Sequence, residues 1–598
     1  LNRSKRRGQP KGGGTSTGDD GSWLDQEKGA FLKKWTGRYP VALIYPNSYR
    51  IGMSSLGLQL VYRLLNDADR IVCERIFLPE TGGLPLSIES RRPLDNFPVL
   101  LFSISFEHDY VNLPALLLAA GLEPLAEKRP ESFAPGAPLV VCGGVATFMN
   151  PEPLAPFVDL FALGEGEALI PQLIENLLQG DDRRQPLLWE MNRHHRGFYA
   201  PRFYRPVYDG QSRQRALESP PELPPRVARV HLGGTDAAGH SELLTGRTEF
   251  ADLYLTELGR GCSRGCRFCT AGFIYRPPRL WDTAAVLRSL RHRPEGIERV
   301  GLVGMEMTDP QTLQAVAGYL SEVGCALSFS SLRADRISDE IIAVLADSKL
   351  KSVAIAPDGA SQRLRLAINK GLSEDDLLTA ARRLAAAGLT KLKIYLMIGL
   401  PGETEDDLHE FVDLLDKIRE QVLTVGRKRG RLCELLVSVN CFVPKPWTPF
   451  QYHPFGSSRR LAAEQTISGS TAIGLLRERK LLLQRAVAGR ANVRISFDGP
   501  DQALFQAVLA RADRRLAAVL LTMARSGISW RRAMKQHELT EELFATRQYG
   551  PDSFLPWQVV DQGIVGAYLW AEYCRSFTAK TTPPCDTARC RRCGVCHD

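Results

Sequence analysis

Three cysteines in Gly261-Cys262-Ser263-Arg264-Gly265-Cys266-Arg267-Phe268-Cys269 stand at C-x3-C-x2-C spacing. They follow Leu253–Leu258, an apolar stretch that reads as a strand. Three thiolates hold three irons of a cubane [4Fe–4S] cluster and leave the fourth open to a small chelating ligand, unlike the closed four-cysteine ligation of electron-transfer ferredoxins. An open iron at the C-terminal end of a barrel strand is placed for catalysis. The competing reading is three free core thiols, or a zinc site short of one ligand. A second set, Cys585, Cys590, Cys593 and Cys596, has C-x4-C-x2-C-x2-C spacing. Zinc ribbons usually place two C-x2-C pairs farther apart, and a tight C-x2-C-x2-C run is closer to a ferredoxin-type cluster loop. Zinc and uncoordinated thiols at a frayed tail both stay open, with Cys574 as a replacement ligand. Arg589, Arg591 and Arg592 interleave these thiols and would offset thiolate charge.

Seven of the 13 cysteines fall in these two sets, which in a non-secreted chain points to metal or cluster ligation and a reducing cytosol. No run of about 18 apolar residues appears, so no membrane insertion is expected. The start, Leu1-Asn2-Arg3-Ser4-Lys5-Arg6-Arg7, lacks the apolar stretch of a secretory signal, and residues 8–22 read as a disordered tail. A formal charge of +9 permits an anionic partner such as RNA, and equally fits a solvated basic surface.

At 598 residues the chain needs about three or four domains to position these thiols. After a basic, Gly-rich lead-in over residues 1–38, residues 39–180 alternate buried strands (Val41–Tyr45, Val99–Ser105, Leu139–Cys142, Leu160–Leu163) with helices, a doubly wound α/β unit. Residues 181–250 read as a connecting region with little core. Residues 251–450 resume βα alternation with six strands, Leu253–Leu258, Val300–Val303, Leu327–Ser331, Ser352–Ala356, Lys391–Ile398 and Leu435–Val443, a partial (β/α)6 barrel open at the side. Residues 451–580 are mainly helical in pattern, and 581–598 form the Cys-rich tail.

The cysteine spacing resembles the cluster motif of the radical S-adenosylmethionine (radical SAM) superfamily, and further motifs after successive strands extend the resemblance over about residues 250–450. Phe268 stands where that family usually has an aromatic residue beside the cluster. Gly304-Met305-Glu306 looks like the binder of the methionyl amino group, through Glu306. Ser330 and Arg333 match positions that contact ribose or the methionyl carboxylate. Asp358, in Pro357-Asp358-Gly359-Ala360-Ser361, stands where relatives carry Glu, and the glycine is displaced. Gly399 and Gly402 resemble the turn that lets backbone approach adenine. The implied chemistry is reductive cleavage of S-adenosylmethionine, in most of the superfamily to methionine and a 5′-deoxyadenosyl radical. An electron donor such as flavodoxin or ferredoxin is implied with it.

Residues 39–180 resemble the cobalamin-binding domains that precede many radical SAM barrels. Those often carry Asp-x-His-x-x-Gly after the first strand, and here Asn47, Tyr49 and Gly52 occupy that register. Tyr49 replaces the histidine that would ligate cobalt, so bound cobalamin is expected to lack a protein histidine. Ser103-x-Ser105 and Gly143-Gly144 match later loops that accommodate the nucleotide tail and its phosphate. A decayed, structural domain is the alternative. Over its length the chain is similar to cobalamin-binding-type radical SAM proteins of unassigned substrate, through Tyr45-Pro46-Asn47, Asn150-Pro151-Glu152-Pro153, Phe442-Val443-Pro444-Lys445-Pro446, Leu555-Pro556-Trp557 and the terminal cysteines. Methylthiotransferases acting on tRNA are more distant relatives through the barrel. The expected activity is cobalamin-linked methyl transfer to an unactivated carbon. Cobalamin-free radical modification of tRNA or rRNA, and a non-catalytic cobalamin- or redox-sensing RNA binder, are the rivals.

Overall fold

The computed structural model describes residues 22–80, 82–180, 182–251, 253–304, 310–329, 331–348 and 350–596. Glu306 and Ser330, two of the expected cofactor contacts, lie outside the described residues, as does the tail 1–21.

The N-terminal sheet contains β1 (Tyr39–Tyr45), β2 (Ile71–Phe77), β3 (Val99–Ser103), β4 (Leu139–Gly143), β5 (Leu160–Ala162) and β6 (Phe198–Tyr199), in the order β2-β1-β3-β4-β5-β6. The first five pair in parallel, and β6 runs antiparallel to β5. Strand order reverses beside β1, and such sheets open a crevice at the strands' carboxyl ends. Strand β2 was not expected, because Glu74 and Arg75 interrupt its apolar run, yet all seven of its residues are buried. Arg75 is tolerated there because it pairs with Glu27 at 2.6 Å and Glu89 at 2.7 Å; a buried charge persists only when paired. Glu27 therefore anchors residues 22–38, expected as a loose lead-in, to the domain, and Trp23 packs on Tyr49 at 4.5 Å. The sheet also outruns residue 180. Helix Arg184–His194 brings the chain back to the sheet edge, where buried Arg184 meets Asp159 at 3.0 Å.

Among the described residues the barrel has seven strands rather than six: β7 (Tyr254–Glu257), β8 (Arg299–Val303), β9 (Ala326–Ser328), β10 (Ser352–Asp358), β11 (Lys391–Ile398), β12 (Glu434–Cys441) and β13 (Val493–Phe497). They pair in parallel as β7-β8-β9 and β10-β11-β12-β13, and a parallel bridge between Ser331 and Ala354 joins the two sets. Among the described residues β13 does not pair with β7, so the barrel stays open. β13 lies inside the region expected to be helical, because five alternating residues between helices Gly469–Val487 and Pro500–Arg511 give too short a period-two signal.

One buried apolar cluster runs from Ala42 and Ile44 of β1 through Phe442 to Trp557, so the N-terminal domain, barrel and C-terminal helices share a core. The stretches that carried the family likeness are joints of this core. Asn150 donates to the carbonyls of Ala510 and Ala512 at 3.0 and 2.8 Å. Glu152 accepts from Arg514 at 2.9 Å and Tyr199 at 2.6 Å. Lys445 pairs with buried Glu107, and Trp557 donates its indole N–H to Gln451 at 2.8 Å.

Candidate functional site

The cysteine loop leaves β7 through the short strand Gly259–Arg260, which pairs with Arg279–Leu280 and so closes the loop at its base. Gly261 and Gly265 hold φ of +87° and +67°, left-handed turns that favour glycine. A Cβ on Gly261 would also stand 2.7 Å from the Tyr275 carbonyl. Cys266 is buried, Cys262 and Cys269 are half-buried, and Phe268 packs against the core. Burial pushes the Cys266 thiol up to about 12, against the pull of Lys370. Burial also raises Cys269, although the backbone N–H groups of Gly272 and Ala271 donate to it. No three His, Cys, Asp or Glu side chains among the described residues converge tightly enough to hold one metal ion. The donor set is three thiols on one loop, faced by cations and backbone N–H groups that favour thiolate, and this fits the three-thiolate cubane.

The charges of Arg333 and Asp358 reach the loop thiols Cys266 and Cys269. Lys370 pairs with Asp358 at 2.6 Å, and Arg333 pairs with Asp335 at 2.8 Å and donates to the Lys370 carbonyl at 2.7 Å. Asp358 has φ of +60° at an irregularity in the β10–β11 register. Asn369 and Lys370 escaped the sequence reading. Their only signal was an Asn-Lys-Gly turn, in which Asn369 adopts φ of +57°.

Gly399 and Gly402, at φ of +81° and +80°, form a tight turn after β11. Gly399 N–H donates to the Glu403 carboxylate at 2.9 Å, and a Cβ there would meet Leu476 at 2.6 Å. Burial lifts buried Glu403 to about 7, against the Gly399 bond and Arg479 at 3.4 Å. The folded chain thus holds this proton more tightly than the unfolded chain, whose ordinary value is 4.5. The group costs nothing below that value, and its destabilising effect grows as pH rises to about 7. Glu403→Gln is therefore expected to lose more stability relative to wild type at pH 5 than at pH 8, by urea unfolding. A pH-independent difference would refute the assignment.

A cavity of about 550 Å³ separates the carboxyl ends of the N-terminal sheet from the barrel strands. Ser103, Gly143, Gly144 and Gly57 line the first wall, and Leu255, Gly301 and Gly304 the second. Arg260 and Tyr275, which flank the cysteine loop in the chain, also line it. Gly144 has φ of +103°, and a Cβ there would stand 2.4 Å from the Ile104 carbonyl. Gly57, near the start of helix α1 (Leu56–Asp67), has open space before it. Ser103, Gly143, Gly144 and Gly304 are thus brought together, whereas Asn47, Tyr49 and Gly52 are not on these walls. Asn47 donates to Asp109 at 2.7 Å. Tyr49 is turned into the core and donates its hydroxyl to Glu27 at 2.5 Å. Gly52 lies under Phe77, whose ring a Cβ would meet at 2.4 Å.

Arg260 ties the two domains at the cavity edge. It pairs with Glu165 at 3.1 Å, Glu167 at 2.8 Å and Glu257 at 3.0 Å, and Arg279 also pairs with Glu165. Burial works against the Glu165 carboxylate, but the Arg279 hydrogen bond and both arginine charges outweigh it and hold its pKa below the usual range. The Gly164-Glu165-Gly166-Glu167 loop stands out in the sequence at a strand's carboxyl end, but its pairing with Arg260 and Arg279 does not.

Residues 57–201 match the family described as radical SAM proteins, N-terminal, and residues 256–415 match the radical SAM superfamily. The chain carries radical SAM domains. It is 25% identical over 482 residues to an uncharacterized protein of Methanocaldococcus jannaschii, covering 80% of this chain and 90% of that one. It is 27% identical over 195 residues to the ribosomal protein uS12 methylthiotransferase of Trichlorobacter lovleyi, covering 29% of this chain and 42% of that one. Its fold is similar to that of the radical S-adenosylmethionine methyltransferase TsrM of Kitasatospora setae, solved with cobalamin and a [4Fe–4S] cluster, with a TM-score of 0.50 and 13% identity, covering 84% of this chain and 99% of that one. A radical SAM domain implies S-adenosylmethionine and a [4Fe–4S] cluster, and radical SAM enzymes generally need a reductant. No helix among the described residues is long and apolar enough to cross a membrane.

Proposed function

We propose that this radical SAM enzyme binds cobalamin in the interdomain cavity and transfers a methyl group to an unactivated carbon of its substrate. The observation that carries the reading is the cavity itself, set between the carboxyl ends of a doubly wound domain and the barrel, beside the base of the cysteine loop. The fold likeness to a methyltransferase solved with cobalamin supports it. When bound, cobalamin and S-adenosylmethionine supply the methyl group and the one-electron chemistry. Cys262, Cys266 and Cys269 would hold the cluster, and Ser103, Gly143 and Gly144 the cobalamin.

The chain's own part is shape and exclusion. Glycine walls admit a broad, flat ligand close to backbone. The half-buried Arg260–Glu167–Glu257 group, with buried Glu165, screens the edge by the cysteine loop from water. Tyr49 offers cobalt no ligand, since its hydroxyl is committed to Glu27. His240 also lines the cavity, with Nδ1 3.1 Å from the Ala238 carbonyl and Nε2 3.6 Å from Glu242, beyond hydrogen-bond distance. RNA modification without cobalamin rests on methylthiotransferase likeness over 29% of the chain and gives the cavity no role.

Anaerobic loading of the full chain with hydroxocobalamin tests the reading. The protein should retain a stoichiometric amount through gel filtration, and the Co(II) paramagnetic spectrum should show no histidine nitrogen coupling. Gly57→Phe, which projects into the open cavity, should weaken retention by about tenfold or more, roughly 1.4 kcal/mol, while S-adenosylmethionine cleavage persists. No retained cobalamin, or a histidine-coupled signal, would sink the proposal.

A further inference from the structure

We propose that Cys585, Cys590, Cys593 and Cys596 ligate a second iron–sulfur cluster that passes electrons to the cluster of the 262–269 loop. The relay rests on the radical SAM reading of that loop; the ligation does not.

The tail is built onto the cysteine loop rather than trailing from a separate domain. Cys585 N–H donates to the Ser263 carbonyl at 2.7 Å, one residue from Cys262. Asn369 staples the two segments: its amide donates to the carbonyls of Arg264, Gly265 and Thr582 at 3.2, 3.3 and 3.2 Å and accepts from Thr582 N–H at 2.8 Å. Arg267, inside the loop, donates to the Lys580 carbonyl at 2.7 Å. Arg276 spans both thiol sets. Its charge acts on the Cys593 thiol, and a Cβ on Gly265 would stand 3.2 Å from its guanidinium.

The four thiols are neighbours whose charges act on one another. Arg592 Nε lies 3.3 Å from the Cys590 sulfur. Gly594, at φ of +93°, turns the chain between Cys593 and Cys596, and a Cβ there would meet Val565 at 2.7 Å. Cys593 is 4% exposed, whereas Cys585, Cys590 and Cys596 are half-buried. One edge therefore faces Arg276 and the barrel loop, and the other faces outward. Arg589, Arg591 and Arg592 are exposed around that outer edge and suit docking of an acidic carrier. Three thiols within a C-x2-C-x2-C run and a fourth nearby match a closed cubane, and backbone and arginine donors to sulfur tune such clusters.

In the step itself, one electron leaves a low-potential carrier of the flavodoxin or ferredoxin class and reduces the tail cluster. The same electron then reduces the loop cluster and leaves the tail cluster oxidised. No bond breaks and no proton moves.

The full chain would be reconstituted anaerobically with ferrous iron and sulfide, then assayed for iron, sulfide and zinc and by paramagnetic resonance after dithionite. A variant with Cys262→Ala, Cys266→Ala and Cys269→Ala should keep about four irons. Adding Cys596→Ser, close to the chain end and therefore mild to the fold, should remove them. In the parent loop, Cys596→Ser should keep the loop cluster but slow its reduction by flavodoxin hydroquinone at least severalfold in freeze-quenched spectra, while dithionite still reduces it. An iron-free or zinc-bearing loop variant overturns the ligation, and unchanged flavodoxin rates overturn the relay. Iron retained by the loop variant alongside an iron-free loop in Cys596→Ser would instead overturn the radical SAM reading and leave the tail cluster standing.

Discussion

Alanine in place of Cys262, Cys266 or Cys269 should bring reductive cleavage of S-adenosylmethionine to background. Three thiolates are the minimum that holds a cubane while leaving one iron open, and the loop offers no spare donor. Left-handed turns at Gly261 and Gly265 fix the chain just before Cys262 and Cys266, so a neighbouring residue cannot substitute. Lys370→Ala should behave differently. Lys370 pairs with Asp358, and removing such a supporting contact typically costs about 10–100-fold in metal affinity or activity. The measurement is methionine released per protein after anaerobic reconstitution, alongside iron content. Cleavage retained in any single cysteine variant would remove the assignment, and a Lys370→Ala enzyme as inactive as Cys266→Ala would show that lysine to be indispensable rather than supporting.

The barrel and most of the N-terminal sheet were legible because parallel strands buried on both faces read as apolar runs. What interrupts the run hides the strand. Glu74 and Arg75 conceal β2, and only the fold reveals that Glu27 and Glu89 neutralise Arg75. The chemistry divides the same way. Cysteines and turn glycines declare themselves by local spacing, since one loop carries the whole pattern. The Arg260–Glu165 pair and the Asn369 staple are invisible because their partners lie 95 and 105 residues away. Asn47, Tyr49 and Gly52 show the converse. Their register matches a cofactor loop, but the spacing does not reveal that Tyr49 turns into the core toward Glu27. The tail cysteines lie beside the barrel's cysteine loop through contacts that no local pattern encodes.

Breaking the Arg267–Glu572 pair should be the most destabilising single change at this junction. Arg267 sits between Cys266 and Phe268 with its side chain fully buried, and Glu572 is 2% exposed. The guanidinium reaches Glu572 at 3.0 Å and the Ala367 carbonyl at 2.6 Å, while the other Glu572 oxygen accepts from Thr582 at 2.7 Å. Glu572→Ala leaves a buried cation without its partner and frees Thr582, which typically costs about 3–5 kcal/mol. Replacing both residues by apolar side chains of similar size removes the charges together, so the double variant should lose markedly less than the two single changes combined. Urea unfolding gives the stabilities, and limited proteolysis near Lys580 reports whether the tail has come away. A loss below about 1 kcal/mol, the range of exposed pairs, would mean that the pair is not what holds the tail on the loop. The expected result ties the two cysteine sets mechanically: Glu572→Ala should loosen the tail and the Cys266 turn in the same unfolding step, because one guanidinium serves both.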